Sequence, residues 1–354
     1  MPKNKIILTG GGTAGHVTPN IALLPHLRNA EYEIHYIGTA GGIERQLIAR
    51  ENIPFHSIPA GKLRRYFDLK NLTDLFRIIA GFLQSIVIII SIRPTIIFSK
   101  GGFVSCPVVW AAWLLRLPVI IHESDISPGL ANRLSIPFAR KICYSFPETA
   151  SFLKSGKAVF TGLPIRPFLI NGSAARGKNV CGFSDEKPMI LIMGGSLGSV
   201  IVNNVVREAL PQLLSLFNIC HICGKGNAVR SEYEGYCQFE YVTEELPHLF
   251  AAADLFIGRS GATTLFELLA LKKPSLLIPL ATGASRGDQI LNAESFKKQN
   301  FTEILPQENL TASTLYEYSR KAFEQRESMA RAMERSAVPE GGTAVFNVIR
   351  SVSQ

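Results

Sequence analysis

Charged residues are scarce in this 354-residue chain. Only 18% of the residues are Asp, Glu, Lys or Arg and 47% are hydrophobic, which is typical of a globular protein with large buried cores. The net charge of +9 indicates an acidic partner: nucleic acid, anionic lipid or a phosphorylated substrate. Because the chain has no dense Lys/Arg tract and no recognition motif, we expect no nucleic-acid partner.

We expect neither a signal peptide nor a membrane-spanning segment in this sequence. A strand-like apolar run begins at Lys5, which leaves no room for a signal peptide, so we expect a cytosolic protein. The most hydrophobic stretch, Ile78–Ile92, falls short of the roughly 20 residues that span a bilayer, and Gln84 and Ser85 interrupt it. This stretch predicts a core helix.

The residues around the start of this stretch favour a different role. Basic side chains are mixed there with aromatic and aliphatic ones, as on surfaces that rest on anionic lipid without crossing it. They are Lys62, Arg64, Arg65, Lys70 and Arg77, with Tyr66, Phe67, Leu72, Leu75 and Phe76. The sequence leaves both interpretations open: a core helix with a solvated loop, or a membrane patch.

Cysteine is infrequent, and its six residues are scattered without a disulfide framework. Cys220 and Cys223 have the spacing of a redox or metal-binding pair, but they lie in "FNICHICGKG", which looks like a buried strand ending in a turn. No second pair of ligands lies near them in the sequence. We interpret them as structural and expect no metal site.

Short apolar runs alternate with helical segments over the whole chain. The runs are KIILTG, YEIHYIGT, TIIFSK, LPVIIHE, RKICYSF and AVFTG, then PMILIMGG, ICHICG, FEYV, DLFIG and PSLLIPL. This alternation predicts parallel sheets of the doubly wound α/β type. Since PMILIMGG and the Gly-rich turn after it restart the opening pattern, we expect two similar α/β domains.

Clusters of proline, glycine and small polar residues indicate the domain boundaries. One cluster is "TGLPIRPFLINGSAARG" and the other is "SAVPEGGTA". We predict an N-terminal domain over residues 1–162 and a C-terminal domain over residues 163–338. A last helix within residues 339–354 is expected to pack back on the first domain.

The first apolar run leads into a turn with the pattern Gly10-x-Gly12-x-x-Gly15, ahead of a helix predicted over Asn20–Leu27. Backbone N–H groups in such a turn suit an anion, and the spacing matches the dinucleotide-binding pattern. That pattern also requires an acidic residue at the end of the second strand, and none occurs before Glu44. We therefore reject a dinucleotide at this loop.

Polar and glycine-rich segments follow several other predicted strands. Ligands bind at the carboxyl ends of parallel strands, so these segments are candidate sites. They are Ser99–Phe103, His122–Asp125, Ser127–Gly129, Gly194–Ser199 and Arg259–Thr264. Glu267 stands one turn into the helix after the last segment, where it can accept two ribose hydroxyls. We therefore place a nucleotide in the second domain, with its diphosphate near Gly194–Ser196 or Ser260–Thr264.

Seven motifs, in order along the chain, identify a resemblance. They are "GGGTAGHVTP", "SKGGFVSCPVVWAA", "IHESDISPGLANR", "TGLPIR", "MGGSLGS", "ADLFIGRSGATTLFELLALKKPSLLIPL" and "GDQILNA". Together they resemble the MurG family of bacterial glycosyltransferases over nearly the whole chain. The resemblance implies two Rossmann-like doubly wound domains facing across a cleft, the GT-B fold.

The resemblance also implies an activity. In that family, N-acetylglucosamine moves from UDP-N-acetylglucosamine to the 4-hydroxyl of undecaprenyl-pyrophosphoryl-MurNAc-pentapeptide (lipid I), giving lipid II for peptidoglycan synthesis. The implied partners are these two substrates and an anionic membrane surface. The implied location is peripheral, on the cytoplasmic face of the bacterial plasma membrane.

The resemblance assigns roles to residues already singled out. The implied donor-binding residues are Arg166, Ser196, Val242, Ala262, Thr263, Thr264, Leu265, Phe266, Glu267 and Gln289. Among them Glu267 takes the ribose hydroxyls, Gln289 takes the sugar, and Val242 meets the uracil through its backbone. Thr13, Ala14 and Gly15 are expected to face the donor. The loops at Gly11–His16 and Gly101–Gly102 are expected to receive the acceptor diphosphate.

The chain departs from the family pattern at four places. Ala14 replaces a glycine of the first loop, and Asp125 stands where the family has an asparagine. Asp288 precedes Gln289 in place of a Gln-Gln pair, and Leu197 interrupts the second-domain glycine motif. Ala14 is tolerable unless its backbone needs a positive φ.

Direct displacement at the anomeric carbon requires a base for the acceptor hydroxyl. The candidates are His16, Glu123 and Asp125, in that order, whereas His122 is interpreted as structural. No two of the aspartates form the Asp-x-Asp motif with which many transferases recruit a metal. We therefore expect helix N-termini and Arg166 to hold the diphosphate, without a cofactor or a dedicated metal.

Two other function classes remain open. One is a UDP-sugar 2-epimerase, or another UDP-sugar-dependent transferase of the same fold. The other is a non-catalytic module that binds a sugar nucleotide or docks on a membrane. The apolar, basic region Lys62–Val87 disfavours the epimerase, and the near-complete loops of both domains disfavour the module.

Overall fold

Parallel β-sheets form the centres of two separate units in this chain. The computed structural model describes residues 4–61, 70–153, 156–184, 186–195, 198–281 and 287–353, with side chains of the second range from residue 74 onward. Unit 1 comprises residues 1–166 and 338–354, and unit 2 comprises residues 167–337. The chain thus leaves unit 1 after Arg166 rather than at the predicted residue 162.

Unit 1 contains a seven-stranded parallel sheet with the order β3-β2-β1-β4-β5-β6-β7. The strands are β1 (Lys5–Thr9), β2 (Glu33–Gly38), β3 (Phe55–Ser57), β4 (Ile96–Ser99), β5 (Val119–Glu123), β6 (Lys141–Tyr144) and β7 (Ala158–Phe160). Its first helices are α1 (Thr18–Ala22), α2 (Leu24–Asn29), α3 (Ile43–Ala49), α4 (Lys70–Ile92), α5 (Ser105–Leu114) and α6 (Leu130–Ser135).

Unit 2 contains a six-stranded parallel sheet with the order β10-β9-β8-β11-β12-β13. The strands are β8 (Met189–Met193), β9 (Asn218–Ile222), β10 (Tyr236–Phe239), β11 (Leu255–Gly258), β12 (Ser275–Leu277) and β13 (Thr302–Ile304). Its helices are α7 (Ala174–Cys181), α8 (Val200–Leu213), α9 (Leu246–Ala252), α10 (Ala262–Ala270), α11 (Asp288–Lys298), α12 (Ala312–Glu324) and α13 (Arg326–Glu334).

Both sheets are covered on two faces, which explains the continuous apolar runs of the central strands. Ile6, Ile7 and Leu8 of β1 have no exposed surface, and neither have Ile190 and Leu191 of β8. In each sheet the strand order reverses beside the first strand, between β1 and β4 and between β8 and β11. Such a switch point leaves a crevice at the carboxyl ends of the strands.

The predicted doubly wound α/β class is confirmed, whereas several boundaries differ. The strand predicted at "FEYV" lies earlier, at Tyr236–Phe239, and the short edge strands β3 and β13 were not predicted. The helix predicted over Asn20–Leu27 is two helices, α1 and α2. Pro25 lies in the first turn of α2, where its missing N–H does no harm, but it would break a continuous helix.

The last helix, α14 (Gly341–Ser353), belongs to unit 1 although it follows unit 2 in the chain. Val345 and Ile349 are fully buried and join the core formed by Leu8, Leu24 and their neighbours on one face of the sheet. A Cβ on Gly341 would overlap the backbone of Leu163, so glycine is needed where α14 begins.

Helix α4 combines features of both interpretations that the sequence left open. Ile89 and Ile92 are buried in the second core of unit 1, whereas the opposite side of the helix is exposed. The helix begins at Lys70 and is therefore longer than the apolar stretch Ile78–Ile92. Asp74–Ile92 has a mean hydropathy of 2.3 and, by length and composition alone, is long enough to cross a bilayer.

Candidate active site

The first glycine loop of unit 1 follows β1. Gly12 has φ +88°, and a Cβ there would lie 2.8 Å from the Phe103 ring, so only glycine fits. Ala14 begins a short 3-10 turn, Ala14–His16, and is not among the residues with positive φ, so its methyl group is tolerated. The Thr13 hydroxyl lies 3.0 Å from His16 Nδ1 and orients the imidazole ring.

The second glycine loop follows β4 and touches the first. Gly101 and Gly102 have φ values of +88° and +85°. A Cβ on Gly102 would overlap the carbonyl oxygen of Gly11, and a Cβ on Gly101 would lie 2.8 Å from Asn132 Oδ1. The structure thus brings the two predicted acceptor loops together at the switch point of the unit 1 sheet.

Glu44 occupies part of the crevice beside the first loop. This buried residue of α3 accepts hydrogen bonds from Gly12 N (3.3 Å), Thr39 N (3.0 Å) and Thr39 Oγ1 (2.5 Å). A carboxylate bonded to the loop backbone repels an anion at that amide. The first loop is therefore poorly suited to a dinucleotide diphosphate at Gly12, for a reason that the sequence did not reveal.

Glu123, at the end of β5, organises a third loop. Its Oε1 accepts from Asp125 N (3.0 Å), and its Oε2 accepts from Gly129 N (3.0 Å) and Asn132 Nδ2 (2.8 Å). Burial raises the pKa of this carboxyl, and Asp125 adds to the rise, whereas the Asn132 amide opposes it. With both oxygens occupied, Glu123 is placed to position the loop that carries half-exposed Asp125.

Lys100 lies fully buried beneath these loops. Its Nζ donates to Ser124 Oγ, and burial lowers its pKa to about 8 against the attraction of Glu123 and Asp125. His122 is buried next to it, with Nε2 2.9 Å from the Gly162 carbonyl oxygen. Burial and the Lys100 charge lower the pKa of His122, so it is neutral and structural.

In unit 2, the N-terminus of α10 lies in the corresponding position after β11. Gly261 is the N-cap and supplies no side-chain cap, so the helix start can offer its N–H groups and dipole to an anion. Thr263 and Thr264 are half-buried in the first turn. Ser260 Oγ donates to the Gln289 carbonyl oxygen at 2.7 Å, which joins the starts of α10 and α11.

Glu267 and Gln289 lie on these two helices. Glu267 is 3% exposed, one turn into α10. The Gln289 side chain accepts from Leu280 N at 3.1 Å through Oε1. Leu265 and Phe266, by contrast, point into the core, where Phe266 packs edge-on against Phe296. These last two positions can meet a ligand only through their backbone.

The remaining predicted donor residues are spread along the chain. Val242 follows β10 and is 9% exposed, Ala262 is buried in the first turn of α10, and Arg166 is the half-exposed last residue of unit 1 before the chain enters unit 2. Ser196 lies outside the described residues, as does Leu197 beside it.

Arg259 belongs to the candidate segment Arg259–Thr264, but the sequence assigned it no role; in the structure it ties the strand ends of unit 2 together. Its guanidinium donates to the carbonyl oxygens of Ile278 (2.9 Å) and Pro279 (3.3 Å), and to Ser199 Oγ (2.8 Å). Burial lowers its pKa without removing its charge. The sequence signal for such a residue is a charged side chain directly after an apolar strand. Lys100, which follows β4 in unit 1, gives the same signal.

The exposed side of α4 forms an apolar stripe. Leu75, Phe76, Ile79, Leu83, Val87 and Ile90 are each about half exposed or more. They recur at helical spacing and therefore lie along one side of the helix. Of the predicted basic and aromatic patch, Lys62, Arg64, Arg65, Tyr66 and Phe67 lie outside the described residues, as do the side chains of Lys70 and Leu72.

Comparison with known proteins matches both units to one family. Residues 6–144 match the glycosyltransferase family 28 N-terminal domain and residues 189–344 match its C-terminal domain. The chain is 54% identical, over 98% of both chains, to a Clostridium kluyveri protein. That protein is named UDP-N-acetylglucosamine–N-acetylmuramyl-(pentapeptide) pyrophosphoryl-undecaprenol N-acetylglucosamine transferase.

Solved structures share the fold. The crystal structure of Acinetobacter baumannii MurG superposes with a TM-score of 0.76 at 24% identity, covering 99% of this chain and 100% of that one. A Neisseria meningitidis UDP-GlcNAc 2-epimerase bound to UDP-GlcNAc superposes with a TM-score of 0.68 at 12% identity, covering 99% of both chains. The fold alone therefore does not separate transferase from epimerase, whereas the sequence relatives do.

Proposed function

Since this chain belongs to glycosyltransferase family 28, we propose that it transfers N-acetylglucosamine from UDP-N-acetylglucosamine to the muramoyl-pentapeptide carried on pyrophosphoryl-undecaprenol. The product is lipid II, a precursor of peptidoglycan. The observation that carries this proposal is the 54% identity to a transferase with that name, over 98% of both chains. Identity over both units covers the donor and the acceptor machinery together.

The donor nucleotide binds unit 2 in this proposal. The uncapped start of α10 receives the diphosphate, and Glu267 accepts the ribose hydroxyls from its place one turn further on. Gln289 contacts the sugar, and the Ser260–Gln289 hydrogen bond fixes its helix relative to α10. Val242 contributes its backbone to the uracil.

The acceptor binds at the loops of unit 1. Gly11 packs closely on Gly102, which stays partly exposed, so a diphosphate can approach the backbone of Gly102 without obstruction from a side chain of that residue. Because Glu44 already accepts from Gly12 N, we place the diphosphate nearer Gly101 and Gly102. Glu123 and Lys100 position these loops from below.

His16 serves as the general base. It is half-exposed, and its Nδ1 lies 3.0 Å from the Thr13 hydroxyl oxygen. In the tautomer whose Nδ1–H donates to that oxygen, Nε2 takes the proton of the acceptor 4-hydroxyl. The hydroxyl oxygen attacks the anomeric carbon while the bond to UDP breaks, which inverts the α linkage to β. The charge that grows on UDP is stabilised by the α10 N-terminus and Arg166, without a dedicated metal.

The exposed stripe of α4 supports attachment to a membrane surface. Its apolar side chains enter the interface between headgroups and acyl chains, while Ile89 and Ile92 keep the other side packed in unit 1. The net charge of +9 favours an anionic surface. We propose peripheral attachment at the cytoplasmic face of the plasma membrane, and no binding of nucleic acid.

The test is incubation of the purified protein with UDP-N-acetylglucosamine, with and without a lipid I analogue. We expect UDP release and a disaccharide-lipid product only when the acceptor is present. Epimerisation without acceptor would support the 2-epimerase instead, and the absence of both products would support a non-catalytic binding module.

A further inference from the structure

Three cysteines from separate elements meet in unit 2. Cys220 lies in the middle of β9, and Cys237 is its direct partner in β10. Cys181 is the last residue of α7, just before Gly182 turns the chain with φ +72°. All three Sγ atoms lie within 4.8 Å of one another.

The cluster is not the sequence pair Cys220-x-x-Cys223. Side chains alternate along a strand, so residues three apart point to opposite faces. Cys223 Sγ instead lies 3.3 Å from the Phe239 carbonyl oxygen. His221, which also faces away from Cys220, is held by Tyr236 OH and Asn203 Oδ1, each at 3.0 Å.

The position of the cluster permits entry of an ion. Cys220 is fully buried, but β10 is the edge strand of its sheet and Cys237 is partly exposed. Thiolates are the ligands that soft metal ions prefer.

We propose that Cys181, Cys220 and Cys237 bind one thiophilic metal ion of the Zn²⁺ type through three thiolates. With Zn–S bonds of about 2.3 Å in a tetrahedron, the sulfur atoms stand about 3.8 Å apart, which side-chain rotation can reach. Three metal–sulfur bonds form, and every thiol that is still protonated releases its proton to water. Water supplies the fourth ligand, because the described residues add no further His, Cys, Asp or Glu atom to this cluster.

Such a site fixes the edge of the unit 2 sheet. The ion links β9, β10 and the end of α7 through their side chains, in addition to the backbone pairing of β9 with β10 and the His221–Tyr236 hydrogen bond. This inference is independent of the transferase activity, because none of the three cysteines belongs to the proposed donor or acceptor site.

The experiment uses the reduced, chelator-treated full-length protein without oxygen. Zn²⁺ is titrated in competition with a chromophoric chelator, and Cd²⁺ is followed by its thiolate charge-transfer absorption. We expect one ion per chain and a rise in melting temperature. Cys220→Ser should weaken binding about 100-fold or more, since even outer-shell changes cost 10- to 100-fold.

Two further variants make the result decisive. Cys223→Ser is the matched control on the opposite face and should bind like the unmodified protein. Cys237 lies at the partly exposed edge of the sheet, where a serine disturbs folding less than at buried Cys220. Cys237→Ser therefore tests the site if Cys220→Ser fails to fold. Absence of the Cd²⁺–thiolate band, or equal losses of Zn²⁺ affinity in the Cys220→Ser and Cys223→Ser variants, would overturn the proposal.

Discussion

At the scale of single residues, buried charge supports the loops of unit 1. Glu44, Lys100 and Glu123 are each 5% exposed or less, yet each bonds to a loop that follows a central strand. Such groups are retained at a cost in stability, because burial disfavours their charged forms. Their positions favour a role in holding the glycine loops rather than in contacting substrate.

His16→Gln should reduce kcat by about 10² to 10⁴, because the variant keeps the hydrogen-bonding shape but cannot take a proton. Thermal stability should change little, since the ring is half-exposed. Thr13→Val, which removes only the orienting hydroxyl, should cause a smaller loss. The measurement is turnover with saturating lipid I analogue, and near-normal turnover would remove His16 and make half-exposed Asp125 the next candidate.

Lys100→Met tests the buried cation. The folded pKa of about 8 lies below the unfolded value near 10.4, so the full cost of burying the charge is present below pH 8. Between pH 8 and about 10.4 the unfolded chain keeps a proton that the folded chain releases, so the free energy of unfolding of the unmodified protein rises with pH.

The stability difference between Lys100→Met and the unmodified protein should therefore shift by about 3 kcal/mol, in favour of the unmodified protein, between pH 7 and about 10.4. Chemical denaturation at several pH values measures it. Lys187→Met changes an exposed lysine of unit 2 and serves as the control. A difference that stays constant with pH would contradict the burial argument.

Glu267→Gln should raise the KM for UDP-N-acetylglucosamine about 10- to 100-fold, the loss expected for a charged hydrogen bond to the ribose. The fall in kcat should be smaller, since the ribose is distant from the reacting bond. Glu208→Gln, on the exposed side of α8, is the matched control. Equal KM values for the two variants would remove Glu267 from the donor site.

At the scale of elements, α4 combines two requirements in one helix. One side completes the core of unit 1 with Ile89 and Ile92, and the other presents a continuous apolar stripe. An ordinary surface helix carries polar residues on its outer side. The exposed stripe is therefore the strongest structural support for membrane attachment.

The double variant Leu83→Glu/Val87→Glu should reduce binding to anionic vesicles about tenfold or more, because two exposed side chains lose their apolar contact with lipid. Folding should be unaffected, since these side chains are 57% and 67% exposed. Vesicle flotation measures the bound fraction.

The matched control is Val229→Glu/Tyr233→Glu, which adds the same charge at exposed apolar positions of unit 2. It should float with vesicles like the unmodified protein. Equal losses in both double variants would mean that net charge, and not the stripe, governs binding.

At the scale of the whole molecule, the chain builds two doubly wound units and returns to the first at its end. Helix α14 buries Val345 and Ile349 against residues of β1 and α2 that lie more than three hundred positions earlier. The C-terminus therefore contributes to the stability of unit 1.

Ile349→Ala should lower the free energy of unfolding of unit 1 by about 2 to 4 kcal/mol, the usual cost of a cavity at a fully buried isoleucine. Hydrogen exchange measured by mass spectrometry should become faster in peptides that contain β1. Peptides that contain β8 should exchange as before, and acceleration there instead would contradict the assignment of α14 to unit 1.

Much of the fold followed from the sequence because its signals are local. Apolar runs such as Ile6–Leu8 and Met189–Met193, with glycine turns after them, indicate buried parallel strands without reference to distant residues. The loops that follow β1, β4 and β5, and Glu267 in unit 2, were likewise located by their distance along the chain from the end of a predicted strand. Short edge strands such as Thr302–Ile304 carry too few residues for such a pattern and were missed.

The sequence by itself determined the α/β class, the repeat of the pattern and the family, because these depend on the order of residues along the chain. Only the tertiary structure decided which distant side chains meet. Glu44 reaches Gly12, and Cys181 joins Cys220 and Cys237, because strand order and helix packing bring them together. It also decided which side of α4 is exposed, since that depends on what covers the sheet.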